Sequence, residues 1–345
     1  MWDADGSLPL AYAAAVCRKQ GARMKAIIHY GFGSADVLRC EEIDKPVPKD
    51  NEVLIRVRAA GLNPLDWKLL KAEPKFLRLV LGMGKRKGIG VDVAGVVEGV
   101  GRSVTQFKAG DAVFGGGKGT AAEYACARDS ALALKPEAIS FTNAAATPIA
   151  GLTALQGLRD KGQLRAGQRV LINGAAGGVG SFAVQIAKAL GGEVTGVCST
   201  RNLELVRSIG ADHAIDYTQE DFTRGGQKYD LILECVGNCS PEAVRRVLEP
   251  KGRCVMVGAS PDASLMTILR GILRLLVEAP FRSQKVSTFM AKQAGGDLKV
   301  LAELMSSGKV KPVIDRQYPL EQTAEGIRYL EAGHARGKVV VTVES

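Results

Sequence analysis

The chain has 345 residues, 46% hydrophobic and 24% charged, which is typical of a globular protein long enough for two domains. Its net charge is +10, but only 5% of residues are aromatic and no nucleic-acid-binding signature is present, so we expect no nucleic-acid partner. The seven cysteines form no Cys-x-x-Cys pair and stand apart from the three histidines, which favours reduced thiols, a cytoplasmic protein and no metal site.

Residues 1–23 differ from the rest of the chain. Their apolar, alanine-rich run is short and is preceded by Asp3 and Asp5, whereas a secretory signal carries positive charge there. We therefore expect a flexible N-terminal extension, with the folded part beginning at Met24.

Residues 24–148 are predicted to form the first domain. Short apolar or alternating runs such as KAIIHY, EVLIRVRAAGLN and VDVAGVVEGVG are broken by glycine and proline, which predicts an irregular, mainly antiparallel barrel. It contains two candidate functional segments: GLNPLDWK at residues 61–68, and the basic run Lys85, Arg86 and Lys87.

Residues 149–285 are predicted to form a second domain around the stretch RVLINGAAGGVGSFAVQIAKALG. A buried strand ends at Asn173, a glycine cluster comes after it, and then a helix with apolar residues at spacing four. The cluster spells Ala-x-Gly-x-x-Gly from Ala175 to Gly180, which is the dinucleotide fingerprint with alanine at its first position. Gly177 would let a pyrophosphate approach the backbone, and Gly180 would let the helix pack on the strand.

The strand after this helix indicates which nucleotide is bound. An NAD site would have Asp or Glu about 20 residues after the motif, but this chain has Ser199, Thr200, Arg201 and Asn202. Because Arg201 can pair with a 2′-phosphate, we predict NADPH as the cofactor; the alternative is that Arg201 is a solvated residue at a helix start.

Strands alternate with helices throughout this second domain, which predicts a doubly wound parallel sheet. Ligands bind beyond the carboxyl ends of such strands, so the cofactor is expected at five strand ends: Asn173, Ser199, Tyr217, Val236 and Gly258.

Three further features are interpreted as structural, the first two with a functional alternative left open. The apolar stretch 265–277 is too short to cross a bilayer and is predicted to be a core or lid helix, with a membrane-surface helix as the alternative. Cys235 and Cys239 are interpreted as packing residues, with a redox-active thiol as the alternative. His213 and His334 are interpreted as structural or surface residues.

Residues 286–345 are predicted to return to the first domain, through helices near 298–305 and 321–330 and a final strand VVVTV. We expect this because the first domain shows no helices of its own in the sequence.

The motifs GLNPLDWK, GVDVAGVVEGVG, PIAGLTA, LINGAAGGVG, IDY and HARGKVVVTV together resemble the medium-chain dehydrogenase/reductase superfamily, in its zinc-free quinone oxidoreductase and alkenal/enone reductase branch. The resemblance implies an α/β protein with a GroES-like β-barrel catalytic domain and a doubly wound Rossmann nucleotide-binding domain. Zinc-dependent members carry a cysteine where this chain has Asn63 and a His-Glu pair where it has Val91 and Asp92, so no metal is expected.

The resemblance also implies site residues. Thr153 is expected near the nicotinamide, and Ser199, Arg201 and Tyr217 around the 2′-phosphate. The full expected cofactor-binding set is Thr153, Asn173, Ala175, Ala176, Gly177, Gly178, Val179, Gly180, Ser199, Thr200, Arg201, Tyr217, Val236, Gly258 and Lys338.

The expected catalytic residues are Asn63, Asp66 and Lys68. Asn63 would donate a hydrogen bond to the acceptor carbonyl, Lys68 would stabilise the developing oxyanion or contact the cofactor, and Asp66 would orient Lys68. Related quinone reductases often have tyrosine in place of Lys68, and the alternative is that these residues form only a turn and a surface pair.

The predicted function is NADPH-dependent, zinc-independent hydride transfer to a quinone or an α,β-unsaturated carbonyl. An enoyl-thioester reductase, a zinc-free alcohol or aldehyde dehydrogenase, and a non-catalytic NADPH-binding protein that interacts through its basic surface remain alternatives. We expect a homodimer with no stable membrane insertion, and by analogy with the family GRCVMVG is the candidate interface strand.

Overall fold

The computed structural model describes residues 22–71, 87–258 and 283–344. The predictions for residues 1–21, for Lys85 and Arg86 and for the apolar stretch 265–277 lie outside this range. The described strands are β1 Arg23–His29, β2 Arg39–Asp44, β3 Glu52–Leu62, β4 Lys87–Gly88, β5 Asp92–Val100, β6 Ala112–Gly116, β7 Tyr124–Arg128, β8 Leu132–Leu134, β9 Arg169–Asn173, β10 Glu193–Cys198, β11 His213–Asp216, β12 Tyr229–Glu234, β13 Leu248–Met256, β14 Lys285–Thr288, β15 Ile314–Pro319 and β16 Lys338–Thr342. The described α-helices are α1 Pro64–Lys71, α2 Phe141–Ala145, α3 Pro148–Gln156, α4 Gly178–Ala189, α5 Leu203–Ser208, α6 Pro241–Arg246, α7 Gly295–Ser306 and α8 Thr323–Glu331.

The first domain, which the resemblance implies is the catalytic domain, is built on a seven-stranded sheet in the order β15-β16-β3-β5-β6-β8, with β7 also pairing with β3. All these pairs are antiparallel except β15 with β16. Its core comes from inward-facing β-branched residues such as Ile55, Val93 and Val341, which are buried together. A second sheet, β2-β1-β4, joins it through a bridge between Ala26 and Ala122. The predicted, mainly antiparallel barrel is confirmed.

The expectation that this domain has no helices is wrong, because GLNPLDWK contains the start of α1. Proline is favoured at the first position of a helix, where its missing N–H costs nothing, and Pro64 takes that position. The carboxylate of Asp66 accepts a hydrogen bond from the backbone N–H of Asn63 at 2.7 Å, which satisfies one of the unpaired donors at the helix start.

The second domain, which is expected to bind the nucleotide, contains a six-stranded sheet in the order β11-β10-β9-β12-β13-β14. Every pair in it is parallel, and the order is that of the doubly wound dinucleotide-binding fold. Phe182 and Ile186 of α4 are completely buried against the sheet. The predicted doubly wound parallel sheet is confirmed.

The sixth strand of this sheet, β14, was not predicted. It pairs with β13, so β13 has a neighbour on each side, β12 and β14. The expectation that GRCVMVG is the interface strand of a dimer joined edge to edge is therefore wrong, since the strand already has a paired neighbour on both sides. The expected domain boundary between residues 285 and 286 also falls inside β14.

The last part of the chain crosses back to the first sheet. Helix α7 packs near α3 with Leu298 and Leu301 completely buried, and β16 then pairs antiparallel with β3, with Val339 opposite Leu62. Residues far apart in the sequence thus meet at the junction of the two domains.

Candidate functional site

The glycine-rich turn links β9 to α4. Gly174 makes the tight turn after β9 with φ +81°, a conformation that favours glycine; this residue was missed because the fingerprint was aligned from Ala175. A Cβ on Gly180 would lie 2.1 Å from the carbonyl oxygen of Gly174 and 2.8 Å from Cα of Ala175. Only glycine at position 180 therefore lets the helix approach the strand so closely.

The beginning of α4 fits a bound pyrophosphate. Gly177 precedes the helix with an extended backbone, and no side chain caps this helix start within the described residues. A Cβ on Gly177 would have only the carbonyl oxygen of Gly174, at 3.3 Å, as a neighbour. The side-chain direction of Gly177 is therefore open, at a helix start whose first N–H groups have no partner within the helix and can bind an anion.

The expected adenosine end of the groove lies after β10 and β11. Ser199 is half-buried, whereas Thr200, Arg201 and Tyr217 are exposed. The Arg201 guanidinium donates a hydrogen bond to the carbonyl oxygen of His334 at 3.3 Å, so a loop of the catalytic domain reaches this end of the groove.

A carboxylate that the sequence prediction overlooked also lies here. Asp216 ends β11 and accepts hydrogen bonds from the hydroxyls of Thr200 at 2.5 Å and Thr218 at 2.8 Å. These hydrogen bonds, that of Thr200 first, hold the pKa of Asp216 below its usual value. The carboxylate is therefore engaged by neighbouring hydroxyls, and the Arg201 guanidinium stays exposed at this end.

A buried polar network supports the ends of β9 and β12. The amide of Asn173 donates to the carboxylate of Glu234 at 2.7 Å, and Glu234 also accepts from the backbone N–H groups of Val236 and Gly237 at 2.8 and 2.9 Å. A Cβ on Gly258 would lie 2.3 Å from the backbone of Cys235. These contacts fix Asn173, Val236 and Gly258 at one rim of the sheet.

Cysteines lie beside this network. Burial raises the pKa of the Cys235 thiol, and burial together with the nearby Glu234 carboxylate raises that of Cys239 to about 12. Both thiols are therefore held in the protonated form near neutral pH, which favours the packing interpretation over a redox-active thiol.

Two of the three expected catalytic residues lie in a buried cluster. Asn63 and Asp66 are both nearly inaccessible to solvent, and they are joined by Asp92 and Lys338. The Asn63 amide donates to the Asp92 carboxylate at 2.9 Å, and its carbonyl oxygen accepts from the Lys338 ammonium. Lys338 also donates to the carbonyl oxygen of Leu62 at 3.1 Å.

Burial dominates the electrostatics of this cluster. Loss of water raises the pKa of Asp66 to about 7 and raises that of Asp92, while the Lys338 ammonium beside Asp92 opposes the shift. Burial likewise lowers the pKa of Lys338, against the attraction of Asp92 and Asp66. The charges of the cluster therefore depend on one another.

Lys68 and Thr153 lie outside the buried cluster. Lys68 is half-buried with its ammonium 5.7 Å from the centre of the Trp67 ring, and burial lowers its pKa. The Asp66 carboxylate instead accepts from the N–H of Asn63. Thr153 is half-buried in α3.

The last expected cofactor residue, Lys338, connects the two domains. A Cβ on Gly178 would lie 3.3 Å from Cδ of Lys338, so the lysine side chain passes beside the start of α4. Gly337 forms an isolated parallel bridge with Gly177. The glycine turn and the buried cluster are thus separated by the length of one lysine side chain.

Among residues 22–71, 87–258 and 283–344, no three His, Cys, Asp or Glu side chains are grouped to hold a metal ion. Over the same ranges, no helix is both long enough and apolar enough to span a membrane.

Comparison with known proteins identifies the family. A family model described as "Zinc-binding dehydrogenase" matches residues 209–341, and one described as "Alcohol dehydrogenase GroES-like domain" matches residues 49–137. The chain is 38% identical over 333 residues to the "NADPH-dependent alkenal/one oxidoreductase, chloroplastic" of Arabidopsis thaliana, covering 92% of this chain and 79% of that protein.

A second relative and a solved structure support the same family. The "2-methylene-furan-3-one reductase" of Solanum lycopersicum is 38% identical over 339 residues, covering 93% of this chain and 79% of that protein. The solved structure of the quinone oxidoreductase from Coxiella burnetii is 31% identical with a TM-score of 0.82, covering 94% of this chain and 100% of that one. The chain therefore belongs to the medium-chain dehydrogenase/reductase superfamily, in its quinone oxidoreductase and alkenal/enone reductase branch.

Proposed function

We propose that the protein is an NADPH-dependent oxidoreductase that reduces a quinone or an α,β-unsaturated carbonyl compound. The observation that carries this proposal is the junction at Lys338, whose side chain passes beside Gly178 and ends against Asn63. The start of α4 thus lies next to the buried polar cluster, which supports a pyrophosphate site beside an acceptor site at this junction. The names of the relatives, which include an NADPH-dependent alkenal/one oxidoreductase and a quinone oxidoreductase, support the same function.

The cofactor is proposed to lie along the carboxyl rim of the six-stranded sheet. The first turn of α4 would hold the pyrophosphate, with the buried ammonium of Lys338 nearby. Arg201, with Ser199, Thr200 and Tyr217 beside it, would hold the 2′-phosphate by charge-assisted hydrogen bonds. Thr153, Asn173, Val236 and Gly258 would face the nicotinamide half. Bound NADPH supplies the hydride, which the chain's own residues do not provide.

At the acceptor end the chain supplies positioning and a positive charge. Lys68 is partly removed from water, so its ammonium would stabilise negative charge on the acceptor oxygen more strongly than a fully solvated one. Asn63 has one amide hydrogen on Asp92 and only a long 3.4 Å contact to the carbonyl oxygen of Gly61 for the other. We propose that Asn63 offers this second hydrogen to the acceptor carbonyl, and that Asp66 holds the backbone of Asn63 rather than orienting Lys68.

We propose that the reaction needs no zinc. Asn63 stands where zinc-dependent members of the superfamily carry a ligand cysteine, and its side chain is already bonded to Asp92 and Lys338. A neutral amide held between a carboxylate and an ammonium is a poor ligand for zinc, which prefers thiolate and imidazole.

Oligomeric state and compartment are also proposals. A homodimer would extend the six-stranded sheet at β14, because β14 pairs only with β13 among the described strands. The cytoplasm suits the six free cysteines of the described residues, while some relatives are named as chloroplastic or mitochondrial. Sedimentation of the purified chain and fractionation of cells that produce it would test these two points.

The function is tested by following NADPH oxidation optically with ortho- and para-quinones, 2-alkenals, cyclic enones and an enoyl-CoA. Simple alcohols are tested in the reverse direction, NADH replaces NADPH as a control, and every reaction is repeated with a zinc chelator. We expect turnover of quinones or enones with NADPH that the chelator leaves unchanged. Alcohol oxidation abolished by the chelator would contradict the proposal, preference for the enoyl-CoA would favour a thioester reductase, and tight NADPH binding without turnover would indicate a binding protein.

A further inference from the structure

Asp92 is a completely buried carboxylate for which the proposed reaction has no chemical use. It begins β5 and has partners from three separate parts of the chain. One carboxylate oxygen accepts from the Asn63 amide at 2.9 Å and lies 3.5 Å from the Lys338 ammonium. The other accepts from the backbone N–H of Ile149 at 3.0 Å.

The proposed function implies a cleft between the two domains that holds cofactor and acceptor, and each of these partners belongs to a different wall of it. Asn63 precedes α1 at the acceptor end. Ile149 lies in the first turn of α3, the helix that carries Thr153. Lys338 lies against Gly178 at the start of α4. Asp92 thus contacts all three walls through its carboxylate.

The charge of Asp92 is matched to these partners. A buried carboxylate is costly unless it is paired and hydrogen-bonded, and here a cation and the positive end of a helix surround it. The Asn63 amide is fixed from both sides, because its oxygen faces the Lys338 ammonium and its nitrogen faces the Asp92 carboxylate. Rotating the amide by half a turn would place like groups against each other at both ends.

The surrounding backbone leaves little room for this arrangement to relax. A Cβ on Gly61 would lie 3.2 Å from the Asp92 carboxylate and 2.3 Å from the carbonyl oxygen of Ala145. Strand β3 and the segment before α3 therefore close tightly around the carboxylate. If the hydrogen bonding of the carboxylate changes, the side chains and backbone groups that contact it must therefore move.

We propose that Asp92 is a positioning residue, which holds the Asn63 amide, the first turn of α3 and Lys338 in one arrangement and so sets the acceptor end of the site against the cofactor end. The inference rests on the proposed function, because it assigns Asn63 to the acceptor end and Thr153 to the cofactor end. Asp92 itself touches neither substrate nor cofactor.

The first test is the isosteric substitution Asp92→Asn. The new amide keeps one acceptor oxygen where the carboxylate had two, so its NH2 group must face either the Asn63 amide and Lys338 or the backbone N–H of Ile149. In either orientation one of these contacts becomes donor against donor, and Asn63 or the first turn of α3 has to move. A misplacement of about 1 Å at a reacting group costs on the order of a hundredfold in rate. We expect kcat with a cyclic enone to fall tenfold to a hundredfold, while the dissociation constant of NADPH, measured by its fluorescence, stays within twofold of wild type.

The matched control is Glu98→Gln, which removes a carboxylate of the same strand that pairs with Lys45 at the surface. It should leave both quantities unchanged. A D92N protein with wild-type kcat, or one whose loss appears entirely as weaker NADPH binding, would overturn the positioning role.

The second test exchanges donor and acceptor in the double variant N63D/D92N. This variant keeps the net charge, restores a hydrogen bond between the two side chains and again gives Lys338 a carboxylate partner. We expect it to regain most of the melting temperature lost in D92N; a double variant no more stable than D92N would overturn the proposed pairing. These melting temperatures and the NADPH dissociation constants do not depend on turnover. If the wild-type protein reduced no quinone or enone, the proposed function would fail, but the melting temperatures and NADPH dissociation constants of these variants would still test the role of Asp92.

Discussion

The substitutions Gly177→Ala and Gly180→Ala should separate an effect on cofactor binding from an effect on the stability of the fold. At Gly180 the added methyl group would lie 2.1 Å from one backbone oxygen and 2.8 Å from a backbone carbon, and neither atom can move without displacing the turn. At Gly177 the nearest atom would lie 3.3 Å away, and φ is −81°, which alanine adopts readily. The same substitution, three residues apart, therefore meets backbone in one case and the proposed phosphate space in the other.

The two variants should differ in kind. Forcing a methyl group into packed backbone costs about 1–3 kcal/mol, which corresponds to a melting temperature lower by roughly 2–4 °C per kcal/mol for a domain of this size. Gly177→Ala should melt within about 2 °C of wild type, since the helix-start penalty and the gain from a less flexible unfolded chain oppose each other. Its methyl group would keep phosphate oxygens from the first N–H groups of α4, which should weaken NADPH binding about tenfold to a hundredfold.

Both quantities can be measured on the same samples, by thermal unfolding without cofactor and by titration of NADPH fluorescence. Gly226→Ala is the matched control, because nothing lies within 4 Å of its Cβ and it should change neither value. The reasoning is refuted if Gly177→Ala binds NADPH as tightly as wild type, or if Gly180→Ala melts at the wild-type temperature.

Three further outcomes are expected. Arg201→Ala should reduce the preference for NADPH over NADH, measured as the ratio of kcat/KM values, by about tenfold to a hundredfold. The reason is that a charge-assisted hydrogen bond contributes about 1.5–3 kcal/mol. An unchanged ratio would show that Arg201 does not bind the 2′-phosphate. The pKa of Asp66 is raised from 3.8 to about 7, so the folded state binds the extra proton and this group's contribution to the free energy of unfolding decreases as pH rises from about 4 to 7. Asp66→Asn should therefore flatten the dependence of melting temperature on pH in that window, and a profile as steep as wild type would contradict the shift. Iodoacetamide at neutral pH should label Cys40 well before Cys235 and Cys239, as mass spectrometry would show, because Cys40 is exposed and the other two thiols are less accessible. Burial raises the pKa of all three thiols, that of Cys239 to about 12; equal labelling rates would contradict the protected state of Cys235 and Cys239.

The nucleotide-binding half could be predicted because its signals are local. Val170, Leu171 and Ile172 form an apolar run that ends in glycines, and the helix after them repeats its apolar face every four residues. The predicted strands at β9 to β13 are confirmed for the same reason. Strand β14 was missed because it has four residues, KVST, of which only one is aliphatic, and a run so short and polar is not distinguishable from a loop.

The acceptor end was predicted less well because its contacts are distant in sequence. Asn63 and Asp66 were singled out as parts of one motif, but their partners Asp92 and Lys338 are separated from each other by 246 residues. No local pattern indicates that an aspartate at a strand start and a lysine near the other end of the chain will share a buried space. Helix α1 was missed because it has only two turns and alternates exposed and buried positions irregularly.

The pairing of β16 with β3 also has a consequence for the order of folding. All strands of the six-stranded sheet lie within residues 169–288, whereas residues 59–61 of β3, which pair with β5 on one side, have β16 as their second neighbour among the described strands. During synthesis from the N-terminus, the nucleotide-binding sheet can therefore assemble before the catalytic sheet is closed, because long-range pairing must wait for the later strand. A chain that stops before Lys338 would retain the glycine turn and its sheet but would present an unpaired edge of β3, which is a template for aggregation.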